Sequence, residues 1–225
     1  MEPLSPQVMH KLVFTILVHG LPDSQTGIAL DVLLEAQGNP NPLVRELAVV
    51  ALAELPVSPA KRVAALVRAI QDPISRVRRR AARALGDFGM HALPAVQSLT
   101  VALRDTDASV RRDAAGTLGR FGHAASPAVG GLVAMLSEPD VRTRVVVSTA
   151  LKRIGRPAVP ALIEGLRSPD CELRARAATL LGQIAPEDDA VARALSRAAA
   201  DHDAEVRRRV EEALDIVAVP MGSFV

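Results

Sequence analysis

Five arginines crowd into one short stretch of this chain, at Arg76, Arg78, Arg79, Arg80 and Arg83. A guanidinium presents a planar fork of N–H donors that fits a carboxylate or phosphate edge-on, so such a cluster is equipped to hold oxyanions. Residues 76–120 carry nine arginines against four aspartates, whereas residues 201–215 carry six acids against three arginines. A net charge of only +2 therefore hides a basic middle, with Glu46 and Glu54 before it and an acidic stretch after it. The same arginines also read as a solvated helix face in an arginine-rich protein, and both readings stay open at this level.

Other chemistry is thinly provided. Asp188-Asp189 is the nearest approach to a carboxylate pair, but adjacent residues point different ways on a helix, and both read as helix-start charges. His91 and His123 sit in equivalent inter-repeat loops at different offsets, with no cysteine or carboxylate set at ligand spacing. Gly130-Gly131 falls inside a helix rather than after a strand, which excludes a phosphate-cradling loop. Cys171 is the only cysteine; it builds neither a disulfide nor a zinc set and fits a reducing compartment. No Ser/His/Asp arrangement can be argued. The expectation is a protein with no catalytic residues, no cofactor and no metal.

What must position the arginines is a repeat. Arg45, Arg78, Arg111, Arg144, Arg174 and Arg207 follow one another at steps of 33, 33, 33, 30 and 33. Seven residues after each stands a leucine: Leu52, Leu85, Leu118, Leu151, Leu181 and Leu214. Six before each stand Asn39, Asp72, Asp105, Glu138, Ser168 and Asp201, mostly acidic or helix-capping types. Asp105–Gly122 is the clearest copy, and its Val110, Ala114, Leu118 and Phe121 form one apolar helical stripe. A shorter helix precedes it, through Val96, Leu99 and Leu103, and again through Val129, Leu132 and Leu136 and through Val159, Leu162 and Leu166.

Punctuation agrees with paired helices. Prolines at 42, 59, 73, 94, 127, 139, 157 and 169 mark helix starts, where the missing N–H costs nothing. Asn41, Ser58, Asp72, Ser126 and Ser168 read as caps, and Gly89, Gly122 and Gly155 as left-handed helix ends. The short step falls in the loop between Gly155 and Pro157. Before the repeats, Ser5-Pro6 opens a helix with Leu12, Val13, Ile16 and Leu17 as its buried stripe, ended by Gly20-Leu21-Pro22. The apolar run Leu12–Val18 is far short of the roughly 20 residues a spanning helix needs, and no secretory leader pattern is present. A cytoplasmic protein that does not engage membranes is expected.

The pattern D-x-x-x-x-VR-x-x-A-A-x-x-L-G-x-[IF]-G, followed by P-A-[VL], resembles the HEAT repeat in its short phycobilisome-lyase form, over about residues 24–217. The resemblance implies an all-α, right-handed α-solenoid of about six helix pairs with an N-terminal capping helix. It implies one domain over residues 1–225, with the cap at 5–22, the pairs at 24–217 and a tail at 218–225. In that family the acid and the arginine bond within or between neighbouring repeats as a ladder. Carried over, the pairs are Asp72 with Arg78, Asp105 with Arg111, Glu138 with Arg144 and Asp201 with Arg207, weaker at Arg45 and Arg174 because Asn39 and Ser168 depart from the pattern.

The second helices of such stacks line a concave, binding face. Its outward positions here include Arg76, Arg79, Arg80, Arg83, Arg112, Asp113, Arg120, Arg142, Val145 and Arg153. The leading expectation is a non-catalytic scaffold or adaptor that receives a protein partner with an acidic segment on this basic face. A nucleic-acid backbone in the same groove is the alternative. Excision of alkylated bases, known among some relatives, is disfavoured by the absence of Trp and Tyr. A bilin-lyase-type subunit, suggested by the repeat subtype, is a third reading.

Overall fold

The computed structural model describes residues 6–19 and 26–218, and every described element is helical. The expected helix break at Gly20-Leu21-Pro22 and the tail beyond Ala218 lie outside these residues. By its internal contacts the chain divides into two compact units, Met1–Thr117 and Leu118–Val225.

The first unit holds α1 (Pro6–His19), α2 (Thr26–Ala36), α3 (Pro42–Glu54), α4 (Pro59–Ala69), α5 (Ser75–Leu85) and α6 (Val96–Ala102), with the start of α7 (Ala108–Phe121). Within it α3 packs against α1 on one side and α5 on the other, so the leading helix extends the row of second helices. Its buried stripe is Met9, Val13 and Ile16. Leu12, expected inside, is 37% exposed. The stripe is rotated because Met9, a turn before Val13, supplies the apolar contact, while Val8, Phe14 and Val18 are left outside.

The second unit takes α7 from Leu118 onward and holds α8 (Val129–Ala134), α9 (Val141–Ile154), α10 (Val159–Gly165), α11 (Cys171–Ile184), α12 (Asp189–Ala198) and α13 (Ala204–Ala218). First helices pack in one layer, α8 on α10 and α10 on α12; second helices pack in the other, α9 on α11 and α11 on α13. Between the layers lie the repeat leucines: Leu52, Leu85, Leu118, Leu151 and Leu181 are fully buried. Each contributes about 1.5–3 kcal/mol of burial. Leu214, in the terminal second helix, is only half-buried. Close packing needs small residues. A Cβ on Gly119 would stand 2.8 Å from the Cα of Ala150, so α7 and α9 approach backbone to backbone there.

Helix starts follow a finer rule than proline placement. Pro42 and Pro59 do open their helices. Elsewhere the prolines precede the cap or sit in 3-10 turns that lead into the first helices, at Gly86–Ala95, Gly122–Ala128 and Arg156–Ala158. The 30-residue step is absorbed in the shortest of these lead-ins. Capping falls to the residue four before the repeat arginine in five of the six copies: Asn41, Asp107, Asp140, Asp170 and Asp203 accept from backbone N–H groups two or three residues on, while Ile74 before Arg78 offers no side-chain cap. Asp72 and Ser168, expected as caps, instead accept from the N–H two residues on, one step ahead of the helix. Ser126 sits inside a 3-10 turn. Gly89, Gly122 and Gly155 have positive φ as expected. At Gly89 (ψ −129°) and Gly155 (ψ −140°) the backbone is extended rather than left-handed helical, a region open only to glycine.

Candidate functional site

The repeat arginines are the rigid frame. In Arg45 the Nε and Nη2 groups donate to the two carboxylate oxygens of Asp72 at 2.7 and 3.0 Å, while Nη1 donates to the carbonyls of Asn39 and Pro40. Arg78 grips Asp105 the same way at 2.6 and 2.7 Å, and Arg174 grips Asp201 at 2.8 and 2.9 Å. These are fork-on-carboxylate pairs with both partners largely buried.

The direction of pairing corrects the expected set. Arg78 reaches Asp72, and Arg207 reaches Asp201, only at the backbone carbonyl; the carboxylate serves the arginine of the preceding repeat. Arg111 and Arg144 likewise bond the carbonyls of Asp105 and Glu138. Arg45 and Arg174, expected to be weak points, are fully paired, because what matters is the acid of the following repeat. The Arg174 guanidinium holds the Asp201 carboxyl below the usual carboxylate range, against an opposing push from burial. Burial pushes the Asp105 carboxyl up, but bonds from Arg78 and the Asp107 N–H outweigh it and leave it low. The carboxylate bond raises each of Arg45, Arg78 and Arg174.

With Arg78 turned into this frame, the remaining arginines of α5 fall at i, i+3, i+4 and i+7, a single exposed stripe opposite buried Val77, Ala81 and Leu85. Arg76, Arg79, Arg80 and Arg83 line one cleft of about 420 Å³ with Glu46 of α3 and Asp113 of α7. Arg76 and Arg80 both donate to Glu46, which is 7% exposed, and Arg79 donates to Asp113 at 3.0 Å. Arg83 is exposed and has no ionic partner among the described residues. Four guanidinium groups thus face two carboxylates, which steady three of them without neutralising the site.

The structure brings together four of the eight arginines marked by the sequence. Arg112 lies half-buried on α7 outside this cleft, and Arg120, Arg142 and Arg153 are exposed in the second unit. There the comparable face is balanced: Glu172 pairs with Arg176, and Glu205 with Arg208 and Arg209. On α9 it turns apolar, with Val141 and Val145 each 60% exposed. The sequence reading missed how Glu46 and Asp113 are used. The signal was there in the period, since Glu46 and Arg80, like Arg79 and Asp113, are 34 residues apart, one repeat plus one position.

Elsewhere the chemistry is sparse. Cys171 is exposed at the start of α11, and among the described residues no three His, Cys, Asp or Glu side chains gather as a metal-ligand set. No described helix is long and apolar enough to cross a membrane.

Helix pairs stacked in two layers at a 33-residue beat define an all-α solenoid repeat protein. The family model for HEAT repeats matches residues 30–119 and 129–215, and the chain belongs to that family. No curated protein matches its sequence. Among solved structures it is similar to an engineered protein, at 20% identity over 88% of this chain and 99% of that one, with a TM-score of 0.56. A computationally designed armadillo repeat protein for modular peptide recognition aligns at 15% identity over 83% and 99%, with a TM-score of 0.53. The complex of CpcE and CpcF of phycocyanin lyase from Nostoc sp. PCC7120 aligns at 26% identity over 82% of this chain and 75% of that one, with a TM-score of 0.50.

Proposed function

We propose that this HEAT-repeat protein is a non-catalytic scaffold whose arginine cleft receives an acidic segment of a protein partner. One observation carries the reading: Arg76, Arg79, Arg80 and Arg83 surround only two carboxylates, with Arg83 left uncompensated. Because Glu46 and Asp113 already hold three of the side chains, an incoming carboxylate meets donors whose rotamer freedom is largely spent. A cleft of about 420 Å³ suits a few side chains rather than a duplex. With no Trp or Tyr in the chain, no indole or phenol is present to stack a base.

The test is affinity capture from the native host, with and without nuclease, using the wild type, Arg83→Glu, and the triple reversal of Arg79, Arg80 and Arg83 to Glu. Proteins retained by the wild type after nuclease and lost by both variants support the reading. Identical recovery by all three removes the cleft from it. Capture abolished by nuclease, with a steep salt dependence, transfers the cleft to a nucleic-acid backbone. The likeness to the CpcE–CpcF complex favours one further reading, a lyase-type subunit. A tetrapyrrole absorption spectrum on co-expression with a bilin pathway and an acceptor would establish it, and an unchanged spectrum would end it.

A further inference from the structure

Among the described residues, and setting aside the terminal Arg207, the arginine frame has an open rung at Arg144. Arg144 keeps half of the arrangement, its Nη1 donating to the carbonyls of Glu138 and Pro139 at 2.6 and 2.7 Å. Its Nε is buried and has no hydrogen-bond partner, where the same atom of Arg45, Arg78 and Arg174 meets a carboxylate. The residue standing in the acid's place is Ser168. Its carbonyl accepts from Arg174 Nη1 at 2.9 Å, as the carbonyls of Asp72, Asp105 and Asp201 accept from their own repeat arginines. Its hydroxyl accepts from the Asp170 N–H at 3.1 Å, as the Oδ1 atoms of Asp72, Asp105 and Asp201 accept from the N–H two residues on. Ser168 therefore reproduces the turn with its one oxygen and has no second oxygen for the fork.

We propose that the Arg144 fork with Ser168 is a binding site for one small phosphate-type oxyanion, supplied either as inorganic phosphate or as a phosphate ester on Ser168 itself. A buried charged donor without an acceptor is costly, and a tetrahedral phosphate offers separate oxygens to Nε and Nη2 as a carboxylate does. For the ester, a protein kinase would join the Ser168 oxygen to the γ-phosphorus of a nucleoside triphosphate. The bridging P–O bond breaks, the nucleoside diphosphate leaves, and the hydroxyl proton passes to solvent. The site is separate from the Arg76–Arg83 cleft and does not depend on its role.

The experiment uses the full chain at pH 8 and constant ionic strength, titrated with inorganic phosphate against chloride. Melting temperature and the 31P line width of phosphate are followed for the wild type, Ser168→Asp and Arg144→Gln. Ser168→Asp restores the acid of the other repeats, so it should raise Tm by roughly 2–4 °C in chloride. It should also abolish the saturable phosphate response of the wild type, and Arg144→Gln should show no such response. Intact mass and peptide mapping of protein from the native host separate the sources. A phosphoryl group on Ser168 identifies the ester, and an unmodified chain that responds to phosphate identifies the free ion. An unmodified chain whose wild type shows no saturable phosphate response, a response shared equally by both variants, or an unchanged Tm in Ser168→Asp overturns the proposal.

Discussion

Replacing Asp201 with serine would copy the open rung of Arg144 onto Arg174. Serine keeps the turn bond to the Asp203 N–H, as Ser168 does to Asp170, so the loop itself is spared. What is lost are the bonds from Arg174 Nε and Nη2 to the Asp201 carboxylate, in a pair whose side chains are 4% and 9% exposed, while Nη2 keeps its contact with His202 Nε2 at 3.2 Å. Removing one partner of a buried ion pair costs about 3–5 kcal/mol, because the other charge stays behind. Arg174 retains its bonds to the Ser168 and Pro169 carbonyls, which puts the expected loss at the lower end, about 3 kcal/mol. For a chain of this length that is a fall in Tm of roughly 6–12 °C. Arg207→Ala is the matched control, since that arginine is exposed and bonds only backbone carbonyls, and it should cost less than about 1 kcal/mol. Denaturation followed by helical circular dichroism reads both. If Asp201→Ser stays within about 0.5 kcal/mol of wild type, or Arg207→Ala costs as much, the buried frame is not what holds neighbouring repeats together.

Three other outcomes are expected in the same assay. Gly119→Ala should lose about 1–3 kcal/mol by forcing a methyl against Ala150, whereas Gly130→Ala, with nothing within 4 Å of the added carbon, should be neutral or stabilising. Leu151→Ala, at a fully buried site, should cost about 2–5 kcal/mol. Asp201 and Asp105 titrate below their unfolded value, so their contribution is complete above about pH 4 and is lost as pH falls through the lower folded values. In a pH series of denaturation midpoints, Asp201→Ser should therefore have a shallower acid limb than wild type.

The core was legible because it depends on period alone. Leu118 and its counterparts recur at a spacing that stacked helix pairs satisfy, and the stripe Val110, Ala114, Leu118 and Phe121 is buried throughout. The pairing of the arginines was not, because a guanidinium reaches its own repeat's carbonyl and the next repeat's carboxylate equally well, and spacing within one repeat cannot rank them. Hence the deficit created by Ser168 falls on Arg144 and not on Arg174. Likewise Leu12 and Met9 both lie on apolar arcs of the first helix, and only the neighbour α3 decides which is covered. The arginine stripe of α5 is exposed, which the helical period of Arg76, Arg79, Arg80 and Arg83 opposite Val77 and Ala81 implies. That Glu46 would be drawn beneath it depended on a diagonal contact between adjacent helices, which a search within single repeats passes over.

The most direct measurement is the affinity of the captured acidic segment for wild type and for Arg83→Glu, taken at two salt concentrations. Arg83 has no ionic partner among the described residues to lose, so its reversal tests binding without dismantling the cleft. Binding at least tenfold weaker in the variant, and weaker still at high salt in both proteins, is the predicted result. Equal affinities would contradict it and leave the α5 arginines as nothing more than a solvated face.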